Sequence, residues 1–363
     1  MYFLAVIPIA FVAIFYAYDT LNNNGSSSSS SSSQSATTTP GLDFGTGTMF
    51  DQIATRYDTI NRVLALRMDI GWRRQMTTRI KELLLLSDKD DNDEDGQQQQ
   101  SSWRILDMAT GTADVALQLV KDLSSTSSST TSSSSGKPTT VLGLDPSENM
   151  LSVGRSKIQD RNLQHKIVLE RADARDLSKY YTTSTSTDDD NANKNNENKF
   201  DAATMAFGIR NVVPNRNQAL CEIHKLLKPM GVLAILEFSQ PSYESDGIMG
   251  AAAGIFIKHV VPFVGGILSG GARQEYLHLQ NSINEFPSPE EFRSILQHDL
   301  ECPLRDDDDD SYFYVGYYEM EEVRHMNFGS VQLYIGRAAV KQKVALRKDD
   351  DDDDTKLPPI GGI

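Results

Sequence analysis

Apolar residues recur along this chain at two spacings. Short, largely apolar runs at 103–108, 141–145, 166–173, 200–209 and 231–238 have the length and composition of buried strands. Between them, apolar positions three and four residues apart mark amphipathic helices. One carries Val115, Leu117, Leu119 and Val120; the next carries Met150, Leu151 and Val153, with Ser147 as its N-cap; a third fills 215–226 and stops at Lys228-Pro229-Met230-Gly231. This alternation predicts an open α/β sheet, mostly parallel, with ligand at the carboxyl ends of the strands.

The flanks follow other patterns. From Phe50 to Leu86 the helical interval predicts a helical layer over a sheet edge, with Asp58 as a cap near its second helix. Tyr57, Asn61, Trp72 and Arg73 fit this layer as core or cap residues, and helices placed just before a first strand often form a lid. Residues 246–283 break the alternation with Gly- and Ala-rich apolar sequence. That stretch suits a pocket for a greasy substrate, a surface against a membrane, or a pair of core helices. Pro287 and Pro289 open a helix, 311–337 reads as two closing strands, and the tail after 338 is expected to be disordered.

Composition trims this picture. Serine runs at 26–33 and 127–135 and acidic or Asn/Gln-rich stretches at 87–102, 188–199, 306–310 and 349–354 have almost nothing to bury. The expected organisation is an apolar segment at 1–18, a Ser/Thr-rich linker at 19–48, one catalytic domain at 49–338 and an acidic tail at 339–363. Disordered insertions are expected near 87–102, 122–138, 181–199 and 305–311. The formal charge of −15 is concentrated in four tracts that hold 21 of the 50 acidic residues. The folded part is close to neutral and has no basic block, which argues against nucleic acid as a partner. Cys221 and Cys302 stand in no metal-ligand spacing, so neither a disulfide framework nor a metal site is expected. Tyr2–Ala17 is an uncharged apolar run, shorter than a spanning helix needs, and reads as targeting or tethering.

The chemistry begins where the first run ends. Asp107 leads into Thr110-Gly111-Thr112-Ala113 and then a helix, a junction that presents unpaired backbone N–H groups at the positive end of a helix dipole. Gly111 lets a ligand approach the main chain. By itself the turn is equally an ordinary strand–helix connection. Asp145, at the end of the second run, adds the carboxylate that a ribose diol requires. Asp173 closes the third run, where it either meets an adenine amine or forms a turn. Arg210 and Asn211 follow the fourth, Arg210 as a strand-ending ion pair or as a substrate contact.

DMATGTAD, GLD at 143–145, AFGIRNV at 206–212, KLLKPMGVLAILEFS at 225–239, RYDTINRVLALRMDIGWRR and EYLHLQNSINEFPSPEEF together resemble the ubiquinone/menaquinone C-methyltransferases. The resemblance runs from about Phe50 to Arg337. It implies a Rossmann-like class I methyltransferase with a seven-stranded sheet, helices on both faces and S-adenosylmethionine as cofactor. By the same resemblance Thr112, Asp145, Asp173 with Ala174, and Ala206 contact the cofactor, with Gly111 and Asp107 completing that set. Arg210, Asn211 and Tyr57 face a polyprenyl quinol: Arg210 stabilises phenolate charge while the other two position it. Ala113 stands where the family has a second glycine, a departure that a negative φ would make harmless.

The reaction implied is ring C-methylation in ubiquinone biosynthesis, from 2-methoxy-6-polyprenyl-1,4-benzoquinol to the 5-methyl product. The expected setting is peripheral, on the matrix side of the mitochondrial inner membrane, with a multi-subunit quinone-synthesis complex or a homodimer as partner. The alternatives are methylation of demethylmenaquinol or demethylphylloquinol in a plastid, a non-catalytic scaffold subunit of such a complex, and, from the glycine turn alone, a nicotinamide-dependent dehydrogenase.

Overall fold

The computed structural model describes residues 51, 54–92, 102–124, 137–181, 199–241, 243–255, 281–304 and 312–344. The apolar segment expected at 1–18, the linker at 19–48, most of the late apolar stretch and the acidic tail from 345 lie outside them.

Two helices come first, α1 (Ala54–Leu64) and α2 (Met68–Asn92). The strand–helix alternation then runs β1 (Trp103–Met108), α3 (Asp114–Ser124), β2 (Thr139–Asp145), α4 (Glu148–Asp160), β3 (Ile167–Arg171), β4 (Phe200–Ala206), α5 (Arg216–Leu226) and β5 (Leu227–Phe238). After α6 (Tyr243–Ile255) and the short α7 (Pro289–Ser294), three further strands complete the chain: β6 (Cys302–Leu304), β7 (Tyr312–Met326) and β8 (Val331–Val344). The sheet order is β3-β2-β1-β4-β5-β8-β7-β6. Strands β1 to β5 are parallel, while β8 runs antiparallel to β5, and β7 and β6 continue antiparallel.

Both faces of the parallel strands are covered, which is why those strands read as continuous apolar runs. Ile105, Ala202 and Val232 point to one face, where Met76 and Ile80 of α2, Leu119 of α3 and Leu151 of α4 pack. Their sequence neighbours Leu106, Ala203 and Leu233 point to the other, against Leu220 of α5 and Phe292 of α7. A slip of one residue would exchange the two sets, so the register is fixed by packing on both sides.

Several expectations need correction. The sheet has eight strands rather than seven, because Cys302–Leu304 pairs with Tyr314–Gly316 at the far edge. The chain after 338 does not fray at once: β8 continues to Val344, paired with the start of β7. Lys228–Gly231 is not a simple turn before a strand. The β4–β5 ladder steps from Phe200↔Leu227 to Ala202↔Val232, so these residues bulge out within β5. Helix α2 extends through the start of the expected insertion, to Asn92. Asp58 lies inside α1 rather than at a helix start, and its carboxylate accepts from the Thr112 hydroxyl.

The cysteines are joined. A disulfide links Cys221 of α5 to Cys302 of β6, with Cα atoms 4.9 Å apart. Spacing along the chain gave no sign of this, since 81 residues separate them and only the return of the chain to the sheet edge makes them neighbours. Of the apolar stretch at 246–283, the described part at its start belongs to α6, which kinks at Gly247 and exposes Ile248 and Ile255. Its last described part is helical from residue 281, where Ile283 joins the core.

Candidate active site

The site forms where the carboxyl ends of β1, β2, β3 and β4 converge. Between β1 and α3 the chain turns through five residues, three of which have positive φ: Ala109 at 51°, Gly111 at 55° and Ala113 at 65°. Left-handed backbone costs an alanine about 1–2 kcal/mol, so the turn stores strain. The negative φ that would make the alanine at 113 harmless is not the one it adopts. Ala113 holds its conformation because its amide donates to the Thr110 carbonyl at 2.9 Å and its methyl group is fully buried. The turn is tied to β2 through the Thr110 amide, which donates to the Leu144 carbonyl at 3.0 Å.

Asp145 is the hub of this end. The Gly111 amide donates to its Oδ2 and the Ser147 amide to its Oδ1, both at 2.9 Å. Burial pushes its carboxyl up to about 6, although both backbone donors favour the anion. Ser147 caps α4 as expected, accepting from the Met150 amide at 3.2 Å. Gly111, Asp145, Asp173, Ala174, Ala206 and Asn211 all line one pocket, about 670 Å³ including its open mouth, and Tyr57 of α1 reaches it from above the sheet.

Other predicted site residues lie elsewhere. Asp107 is buried below the turn, where it accepts from the Thr110 and Thr204 hydroxyls, each at 2.6 Å. It is not among the residues lining the pocket, and burial pushes its carboxyl up to about 6. Its place is to brace the turn against β4. Thr112 also misses the pocket. Its hydroxyl donates to Asp58 of α1 at 2.7 Å and accepts from Lys157 of α4 at 2.9 Å. Lys157 pairs in addition with Asp58 and with Asp114, and Arg62 joins Asp114 to Asp69. This network fastens α1 and α2 over the cofactor end, which sequence periodicity could not reveal for Asp58 and Lys157. Asp173 lines the pocket but is half turned into the following loop. Arg175 grips its carboxylate from Nη2 at 2.6 Å and holds its pKa below the usual carboxylate range against the cost of burial.

The segment after β4 makes the remaining wall. Phe207 has a φ of 59° and Gly208 follows it, where a Cβ would fall 2.5 Å from that of Ala109. Glycine is needed there for the two strand-end turns to touch. Asn211 is 7% exposed, and its Oδ1 is buried with no hydrogen-bond partner among the described residues. Arg210 does not line the pocket; its Nη1 donates to Glu237 Oε1 at 2.6 Å. Of its two sequence readings, the strand-ending ion pair is present. Phe207 packs on Phe238 with ring centroids 4.6 Å apart, and Trp72 of α2 meets both edge-on. Burial holds the Tyr57 phenol above its usual pKa, although the Arg73 and Arg210 guanidiniums favour its anion. Tyr57 is thus a hydrogen-bond donor at neutral pH. Glu237 was not singled out from the sequence, though a lone charge ending an apolar strand was visible there.

These residues fit S-adenosylmethionine. Each oxygen of Asp145 keeps acceptor capacity beyond its single amide, as a ribose diol needs. A Cβ at Gly111 would come within 3.2 Å of Met150 Cε and narrow the cradle.

Comparison with known proteins agrees with this geometry. Residues 43–300 match the model of the ubiE/COQ5 methyltransferase family. The ubiquinone/menaquinone biosynthesis C-methyltransferase UbiE of Geotalea daltonii is 34% identical over 256 residues, covering 68% of this chain and 84% of that protein. The demethylmenaquinone methyltransferase of Thermus thermophilus is 32% identical over 248 residues, covering 68% of this chain and 89% of that one. A SAM-dependent methyltransferase structure from Aquifex aeolicus aligns at 14% identity and a TM-score of 0.37, over 72% of this chain and 97% of that one. The chain therefore belongs to the ubiE/COQ5 family of S-adenosylmethionine-dependent C-methyltransferases of quinone biosynthesis.

Proposed function

We propose that this enzyme methylates a ring carbon of a polyprenyl benzoquinol, converting 2-methoxy-6-polyprenyl-1,4-benzoquinol to its 5-methyl product in ubiquinone synthesis. The observation that carries this reading is the wall after β4. There a buried unpartnered acceptor, Asn211 Oδ1, a phenol donor, Tyr57, and the aromatic pair Phe207–Phe238 meet beside the cofactor cradle.

Bound S-adenosylmethionine supplies an electrophilic methyl group. Asp145 would receive its ribose hydroxyls, Ala174 and Ala206 would flank its base, and Asp173 would reach the adenine amine by exchanging part of its contact with Arg175, which donates to both of its oxygens. The protein's own task is to make a ring carbon nucleophilic and to hold it in line. Asn211 Oδ1 accepts the quinol hydroxyl, Tyr57 donates to a quinol oxygen, and the nearby Arg210 charge favours the phenolate as its proton leaves to water. The polyprenyl tail places the enzyme at a membrane surface, and the likeness of AFGIRNV and LEFSQ to mitochondrial family members supports the matrix side of the inner membrane.

The test is lipid analysis of a strain lacking this gene. Accumulation of the demethyl benzoquinone precursor, relieved by the wild-type gene and not by Arg210→Ala, is expected. Accumulation of demethylmenaquinone instead would favour the naphthoquinol reading that the Thermus thermophilus relative suggests, and unchanged quinones would overturn both.

A further inference from the structure

The AFGIRNV and LEFS segments meet at one ion pair. Glu237 is fully buried at the end of β5, in a strand that is apolar from Val232 to Leu236. A carboxylate there needs compensation, because burial strips it of water. It has three donors: Arg210 Nη1 at 2.6 Å and the Phe238 amide at 2.8 Å on Oε1, and the Arg210 amide at 3.2 Å on Oε2. Arg210 Nη1 also donates to the Phe207 carbonyl at 2.8 Å, and the guanidinium lies 5.3 Å over the Phe238 ring. One carboxylate thus fixes both the backbone and the side chain of Arg210.

What this leaves undone is informative. Among the described residues Arg210 Nε is buried with no partner, and so is Oδ1 of the next residue, Asn211. An unmade buried hydrogen bond is costly, and since Asn211 lines the pocket its acceptor points to a ligand. A phenolic hydroxyl supplies the donor that the Asn211 acceptor needs, while Arg210, off the pocket lining, acts on it through charge.

Resting on the reading of Arg210 given under Proposed function, we propose that Glu237 is a positioning residue of the reaction. It ties down Nη1 and the Arg210 backbone and so holds the guanidinium charge next to Asn211, behind the pocket wall, where it favours the phenolate. The length of the side chain is part of this role: aspartate keeps the charge but draws the guanidinium back by one methylene. Glutamine keeps the shape and one acceptor but loses the charge.

The experiment measures kcat and KM for a short-chain demethyl benzoquinol, S-adenosylmethionine affinity by calorimetry, and thermal melting, all on the full chain. Glu237→Asp is expected to lower kcat about 100-fold, the cost of a misplacement near one ångström, with cofactor affinity unchanged. Glu237→Gln lowers kcat at unchanged cofactor affinity and serves where the aspartate variant does not fold. In Arg210→Ala, added methylguanidine is expected to restore part of the lost rate while Glu237 is present, and none in Arg210→Ala/Glu237→Ala.

Wild-type kcat in both Glu237 variants overturns the proposal, as does a loss of cofactor affinity in step with kcat, or rescue independent of Glu237. If Arg210→Ala itself turns over like wild type, the reading of Arg210 falls first and the role of Glu237 with it. An inactive Arg210→Ala beside fully active Glu237 variants removes only the role proposed for Glu237.

Discussion

The Gly111 amide, at the end of β1, donates to Asp145 Oδ2, at the end of β2, at 2.9 Å. This bond makes the glycine turn and the acidic strand end one object: the turn aims the carboxylate, and the carboxylate holds the strained turn. Burial pushes Asp145 up to about 6, so it ionises within the range where binding is measured.

S-adenosylmethionine affinity is therefore expected to weaken as pH falls through about 6, because protonation removes an acceptor that the ribose hydroxyls need. Stability of the ligand-free protein should run the other way. The folded-state pKa lies above the ordinary carboxylate value of 3.8, so the folded state holds more protons between that value and about 6, and stability falls as pH rises through the window. Asp107 titrates in the same interval without lining the pocket, and Asp145→Asn separates the two. Calorimetric titrations from pH 7.5 to 5 would show the affinity trend in the wild type and its loss in the variant; a flat wild-type profile would count against Asp145 as the ribose acceptor.

Gly111 and Ala113 have nearly the same backbone conformation but should respond in opposite ways to exchange. Gly111→Ala costs about 1 kcal/mol in φ strain and sets a methyl group 3.2 Å from Met150 Cε, in the cofactor cradle. Cofactor affinity should fall. Ala113→Gly relieves strain of about 1 kcal/mol and gives up roughly 0.8 kcal/mol of methyl burial. Urea denaturation should find that variant close to wild type. A large destabilisation by Ala113→Gly would show that the methyl packing outweighs the strain.

Thr112 discriminates between family analogy and observed geometry. Its hydroxyl is spent on Asp58 and Lys157, away from the pocket. Thr112→Val is expected to lower stability by about 1–2 kcal/mol and to leave cofactor affinity unchanged. Weaker cofactor binding at unchanged stability would instead restore the direct contact that the family resemblance implies.

The disulfide predicts a redox-dependent stability. Cys221 and Cys302 close a loop across a sequence separation of 81, for which the chain-entropy relation gives about 4.5 kcal/mol. Oxidised protein should melt well above reduced protein, and Cys302→Ser should match the reduced form. Coincident melting curves would mean that the bridge contributes nothing in solution.

Most of the architecture was legible because its causes are local. Buried parallel strands need unbroken apolar runs, amphipathic helices need a period near 3.6, and both survive without knowledge of what they pack against. Asp145 was readable for the same reason, since the end of a strand preceding a capped helix is a position in the sequence as much as in space. The insertions did not hide the core, because low-complexity tracts lack the apolar residues that could be mistaken for it.

The sequence by itself thus determined the order of elements, the end of the sheet where the site lies and the residues of its cradle. Tertiary structure decided the rest, because each remaining feature depends on a partner distant in the chain. The Thr204 hydroxyl, 97 residues on, draws Asp107 beneath the turn; Asp58 and Lys157 take the Thr112 hydroxyl; and Glu237, 27 residues on, claims Arg210 Nη1. A side chain's role follows from the strongest partner within reach, and reach is set by the fold.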